Sequence, residues 1–151
     1  MKHRKMKPAQ LPIYRAVESL LLWLIPVIER LPKSVSYQTL GGLAIRDAND
    51  CLDAIVVAHG LDKGNPNYLT ARRECFGVLV ARMTSIKTKM RIFQQCRIRV
   101  KDAEGNTKLA PILSPKQEAK FLDLVNPIAV QAGAWLGATP STSSQTQKSH
   151  D

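Results

Sequence analysis

The chain has 151 residues, 44% of them apolar and 23% charged, and its 22 Lys and Arg against 12 Asp and Glu give a formal net charge of +10. That length and balance fit a single soluble domain with its own core, and exclude a disordered or disulfide-built chain. A charge this positive selects polyanions as partners, nucleic acid before anionic membranes. The longest apolar run, Leu20 to Ile25, falls far short of the roughly 20 residues of a membrane span. Met1 to Lys7 is basic enough to open a secretory signal. However, Arg15, Glu18 and the lack of a small-residue cleavage site point to the cytoplasm. Cys51, Cys75 and Cys96 show no CxxC spacing and read as small apolar helix residues in a reducing compartment.

Residues 1–10 read as a disordered basic arm carrying Lys2, Arg4, Lys5 and Lys7, and residues 11–137 as the folded domain. A first helix is predicted from Pro12 to Leu31, with Ile13, Val17, Leu20, Leu24, Val27 and Leu31 on one stripe. Leu21, Leu22, Trp23, Ile25 and Ile28 widen that stripe beyond one face, which calls for a second packing partner or a subunit interface. Pro26 should kink this helix near Leu22, and Pro32 ends it. Ser36 is the expected N-cap of a second helix, Tyr37 to Gly60, whose seam reads Ile45, Ala48, Leu52, Ile55 and His59 with Val56 beside it, and whose small residues Gly41, Gly42, Ala44, Ala48 and Ala54 would allow close helix approach. Asp47, Asp50 and Asp53 are expected to face away from that seam, solvated or paired with basic groups of a neighbour.

The third helix, Thr70 to Cys96, carries Phe76, Leu79, Met83, Ile86, Met90 and Phe93 at alternating steps of 3 and 4. Between Thr70 and Lys101 lie nine cations (Arg72, Arg73, Arg82, Lys87, Lys89, Arg91, Arg97, Arg99 and Lys101) and one acid, Glu74. Like charges at helical spacing repel. A polyanion is therefore the expected counterpart, with acids of a neighbouring helix or subunit as the alternative. From Arg97 to Lys101 polar and apolar residues alternate, Gly105-Asn106 follows, and Pro111 limits the return strand to an edge. This segment reads as a hairpin or loop extension. Ser114-Pro115, with Gln117 at the capping-box position, starts a fourth helix that runs to Gly137, bends at Pro127, and packs through Phe121, Val125, Ile128, Ala132 and Trp135. Residues 138–151 read as a disordered tail. The fold class is all-α: an antiparallel up-down-up-down four-helix bundle with a β-hairpin or loop extension between helices 3 and 4.

No catalytic constellation, metal-ligand spacing or cofactor loop occurs; His59 has no His partner one turn away, and no Glu-x-x-His pair is present. A non-enzyme without metal or cofactor is expected. With aromatics at 5%, contact with a nucleic acid should run through backbone or shape rather than base stacking.

Two stretches carry a family resemblance. Leu11 to Pro32 (LPIYRAVESLLLWLIPVIERLP) has Tyr14, Leu20, Trp23, Pro26 and Pro32 in a characteristic order, and Leu113 to Leu136 (LSPKQEAKFLDLVNPIAVQAGAWL) ends on Gly133 and Trp135. With the basic third helix between them, including Leu79, Arg82, Met83 and Arg91, residues 11–137 resemble the accessory variability determinant (Avd) proteins of diversity-generating retroelements. These fall within the four-helix-bundle group that includes proteins encoded in ribosomal RNA intervening sequences. The resemblance implies a non-catalytic homo-oligomer, a pentameric barrel. It would associate with a reverse transcriptase and with RNA or an RNA/DNA hybrid in support of mutagenic reverse transcription and retrohoming. Two other readings are a related RNA-associated bundle without a polymerase partner, and a structural oligomer that binds an acidic protein. Arg97 to Ile112 is longer than the family's usual tight connection.

Overall fold

The computed structural model describes residues 6–61 and 64–137, with side chains as far as Trp135. A 3-10 turn at Pro8–Gln10 precedes α1 (Pro12–Glu29) and α2 (Val35–Gly60). A second 3-10 turn, Pro66–Tyr68, leads into α3 (Leu69–Gln95), then β1 (Arg97–Lys101), β2 (Thr107–Pro111) and α4 (Pro115–Gly137). The protein is thus mostly helical, four helices with one small antiparallel sheet. No helix among the described residues is long and apolar enough to cross a membrane. The expected mobile segments at residues 1–5 and 138–151 lie outside the described residues. The remainder of the expected arm is held: Gln10 N–H donates to the Lys7 carbonyl at 2.9 Å, and Nε2 of His59 meets the Met6 carbonyl.

One apolar core draws on all four helices. The predicted stripe of α1, extended by Leu31 just past its end, is buried throughout, as is that of α3. On α4, Phe121, Val125 and Ile128 are buried, and Ala132 and Trp135 half-buried. Trp23 of α1 stacks on Phe121 (centroids 6.0 Å apart), and Phe76 of α3 meets Trp135 at 5.9 Å. Packing is closest between α2 and α3, followed by α1 with α2 and α1 with α4, whereas α3 and α4 meet only lightly. Both Pro26 and Pro127 sit inside unbroken helices.

The seam of α2 differs from expectation. Its buried line is Gly41, Ala44, Ala48, Cys51, Ile55 and Ala58, while Ile45, Leu52 and His59 are half-buried and Val56 is exposed. The inward face is the one built of small residues, because these let α2 approach its neighbours closely. The larger apolar residues cover the flank.

Helix ends explain two further differences. Ser34, not Ser36, caps α2: its backbone is extended (φ −80, ψ 147) and its Oγ accepts from Tyr37 N–H at 3.3 Å. Val35 and Ser36 are already helical. α1 stops at Glu29 rather than Leu31 because the chain must leave the helical region before Pro32. Gln38, one turn into α2, turns back so that its Nε2 donates to the Leu31 carbonyl at 3.2 Å and the Pro32 carbonyl at 3.4 Å. The predicted box at the start of α4 forms: Gln117 N–H donates to Ser114 Oγ (3.1 Å), and Ser114 N–H to Gln117 Oε1 (2.9 Å).

Two adjacent glycines in α2 test the close approach. A Cβ on Gly41 would stand 2.5 Å from Cγ2 of Ile28, a branched atom that cannot swing away, whereas one on Gly42 meets nothing within 4 Å. Gly41→Ala should destabilise the protein by about 1–3 kcal/mol through overpacking. Gly42→Ala should stabilise it by about 0.5–1 kcal/mol through helix propensity. Urea unfolding followed by circular dichroism reads both, and equal effects of the same sign would refute the close packing of α1 on α2.

Candidate nucleic-acid interface

The structure divides the nine candidate cations. Arg72, Arg82 and Lys89, expected to meet a polyanion, are engaged inside the protein instead. Arg72 is buried. Its Nη1 donates to the carbonyls of Ala58 (2.8 Å) and Leu61 (3.2 Å) at the end of α2, and its guanidinium lies 5.1 Å from the centre of the Trp135 ring. It therefore caps the negative end of α2 and binds that corner to α4. Burial pushes its pKa below the ordinary value, yet a guanidinium stays charged in a protein.

Lys89 and Arg82 owe their places to Asp47. This residue faces inward on α2, not away from the packed face as expected, and of the two expected states it is paired and not solvated: its Oδ2 accepts from Lys89 Nζ at 2.7 Å. Lys89 Nζ also meets Ser85 Oγ one turn back. Arg82 reaches Asp47 at 3.8 Å and Asp50 at 3.2 Å. The side chains of Asp47 and Lys89 are 8% and 14% exposed, that of Arg82 48%. The first pair is thus a largely desolvated one, and the Arg82 contacts are surface ion pairs. Arg73 is half-buried near the start of α3.

The other five candidates form a different class. Lys87 and Arg91 are exposed one turn apart toward the end of α3, and Arg97, Arg99 and Lys101 are exposed along β1. Among the described residues none of the five lies within ion-pair distance of a carboxylate. Strand alternation puts the three β1 cations on one face of the hairpin, with Ile98 and Val100 half-buried on the other. The register pairs Arg97 with Pro111, Arg99 with Leu109 and Lys101 with Thr107. The tip is held tightly. Asp102 Oδ1 accepts from Glu104 N–H (3.0 Å) and Asn106 N–H (2.9 Å), and Gly105 takes φ +83, which its missing Cβ permits. At the base, Ile112 N–H donates to the Cys96 carbonyl at 3.2 Å.

The cysteines are free and belong to the packing. Burial, reinforced by the carboxylates of Asp47 and Asp50, pushes the Cys51 thiol up to about 12, and burial followed by Glu74 raises that of Cys75. Among the described residues no group of three His, Cys, Asp or Glu side chains is placed to hold a metal.

The division has a measurable consequence. Asp47→Ala should cost about 3 kcal/mol, since it leaves the Lys89 ammonium desolvated and unpaired. Arg82→Gln should cost less than about 1 kcal/mol, the range of an exposed pair. Denaturant titration checks the contrast; similar small losses at both positions would mean that Asp47 is solvated after all. Compared with protein-family models, with curated proteins and with solved structures, the chain matches none.

Proposed function

We propose that this chain is a non-catalytic accessory factor of a diversity-generating retroelement. In this reading its helices form an up-down-up-down bundle of the Avd kind, its partners are a reverse transcriptase and RNA, and it supports mutagenic reverse transcription. The observation that carries the nucleic-acid part is the row Lys87, Arg91, Arg97, Arg99 and Lys101, exposed and without carboxylate partners among the described residues. The retroelement part rests on the family resemblance of residues 11–137.

Self-association has separate support. Leu22 is 65% exposed on α1, Ile25 one turn on is also exposed, and an apolar groove of about 290 Å3 lies open between α3 and α4, lined by Phe76, Met83, Val125 and Ile128 among others. Isolated apolar residues are ordinary on a surface, but a turn-spaced pair beside a core stripe suits a subunit contact. Leu22→Asp should lower the mass measured by light scattering while leaving helicity intact; an unchanged mass would remove α1 from the interface.

The RNA reading is tested through salt. Each phosphate contact contributes about 0.7 to the slope of log K against log salt for single strands and about 0.9 for duplexes. Lys87→Gln with Arg91→Gln should therefore lower the slope by roughly 1.5 with no change in unfolding midpoint. Substituting Arg82 should leave affinity almost unaltered. An RNA affinity independent of salt, or untouched by the double substitution, would end this assignment. The polymerase partnership is read by co-purification with the neighbouring reverse transcriptase after nuclease treatment.

A further inference from the structure

The hairpin formed by β1 and β2 is larger than a turn between two helices needs, and its cationic face is left unused by the core. One edge of that face carries Arg97, Arg99 and Lys101; the other carries Thr107, Leu109 and Pro111 directly opposite them. Leu109 is 65% exposed. An apolar side chain so exposed, across from a cation and flanked by two more, has no packing role in this fold. Cations at alternate strand positions stand about 6.8 Å apart, so the three span roughly 14 Å. The turn is fixed by Asp102 and Gly105, so little ordering entropy opposes binding.

Resting on the nucleic-acid reading above, the geometry points to a specific ligand form: the hairpin lies flat in the minor groove of an A-form duplex, double-stranded RNA or an RNA–DNA hybrid. Unpaired strands are the poorer fit, because neither edge of the face offers an aromatic ring on which a base could stack. The width of the ribbon decides among duplex grooves. The two strands stand about 4.8 Å apart before backbone thickness and side chains are counted, too wide a ribbon for a B-form minor groove of about 6 Å or for the narrow A-form major groove. The B-form major groove admits a ribbon as well, and there the cations would take guanine edges. It offers no 2′-hydroxyl to Thr107, and a duplex DNA probe separates the two grooves. The A-form minor groove is wide and shallow, and exposes ribose edges with their 2′-hydroxyls beside the phosphates. In it, the β1 cations follow one phosphate strand. Leu109 and Pro111 rest on the sugars, and the Thr107 hydroxyl meets a 2′-hydroxyl.

The experiment uses the full chain and four probes of one length, about 16 base pairs or nucleotides: double-stranded RNA, an RNA–DNA hybrid, double-stranded DNA and single-stranded RNA, compared by fluorescence anisotropy at fixed salt. The two A-form probes should bind about tenfold tighter than the other two, and Arg97→Gln, Arg99→Gln and Lys101→Gln combined should abolish that preference. Leu109→Ser, which removes no charge, should weaken the A-form probes selectively and leave DNA binding unchanged. Equal affinities in the native protein, or a preference that survives the triple substitution, overturn the hairpin assignment while nucleic-acid binding stands. Failure of the native protein to bind any of the four overturns both. Circular dichroism of the variants guards against loss of the fold.

Discussion

The carboxylate of Asp47 is the constraint from which the charge arrangement follows. A buried anion is tolerable only when paired and hydrogen-bonded. Asp47 meets that condition by drawing Lys89 to 2.7 Å and Arg82 to 3.8 Å across the α2–α3 contact. Lys89 is thereby withdrawn from the surface, and Arg82, still half exposed, is tied to carboxylates there. The pairing depends in turn on how near the helices lie, and the small residues Ala44, Ala48 and Cys51 on α2 set that distance. Cys51, one helical turn from Asp47, carries its Sγ to 3.8 Å from the Leu79 carbonyl of α3. Small side chains, close backbones and a short ion pair are one feature seen at three levels.

The corners obey a similar logic. Each of the first two helices ends on carbonyls that no further turn can satisfy. In both cases a side chain from the next helix supplies a donor: Gln38 Nε2 to the Ile28 carbonyl of α1 at 3.5 Å, Arg72 Nη1 to the Ala58 carbonyl of α2 at 2.8 Å. Arg72 goes further, because the face of its guanidinium not used for hydrogen bonding covers Trp135. Removing it would uncap α2 and loosen the seat of α4 together. A neutral side chain at that place would lack both the fork of donors and the cation above the ring.

The stripes of α1, α3 and α4 were legible in the sequence because large apolar residues recur there at helical spacing and little else competes. The alternation and Gly105-Asn106 left a hairpin or a loop open, and the structure has the hairpin. On α2 the same reasoning went astray. It placed Ala48 and Ile55 correctly but followed Ile45, Leu52 and Val56 beside them, whereas burial followed Gly41, Ala44, Cys51 and Ala58. Bulk signals transfer energy, but close approach selects for its absence; taking the small residues as the seam itself, not only as room for approach, places Asp47 inside. Among the cations, position along the helix decided little. Lys87 and Lys89 are two residues apart, 200° around the helix, so one faces solvent and the other faces α2. Reading nine charges as one surface overlooked that angle.

Of the nine cations between Thr70 and Lys101, five are exposed without a carboxylate partner among the described residues, at the far end of α3 and along the hairpin, and their location has an electrostatic consequence. At about 6.8 Å between neighbours on β1, repulsion is only partly screened, since the Debye length in physiological salt is about 8 Å. On a core helix that repulsion would subtract from the stability of the whole domain. On a hairpin closed by its own turn and by the Ile112–Cys96 hydrogen bond, it is confined to an element that the core does not need. Neutralisation by phosphates would then tighten the ribbon without altering the helices beneath it. The domain thus compensates its buried charges within the fold, while Lys87 and Arg91 on α3 and the three β1 cations stay exposed, where under the proposed reading phosphates would supply the opposite sign.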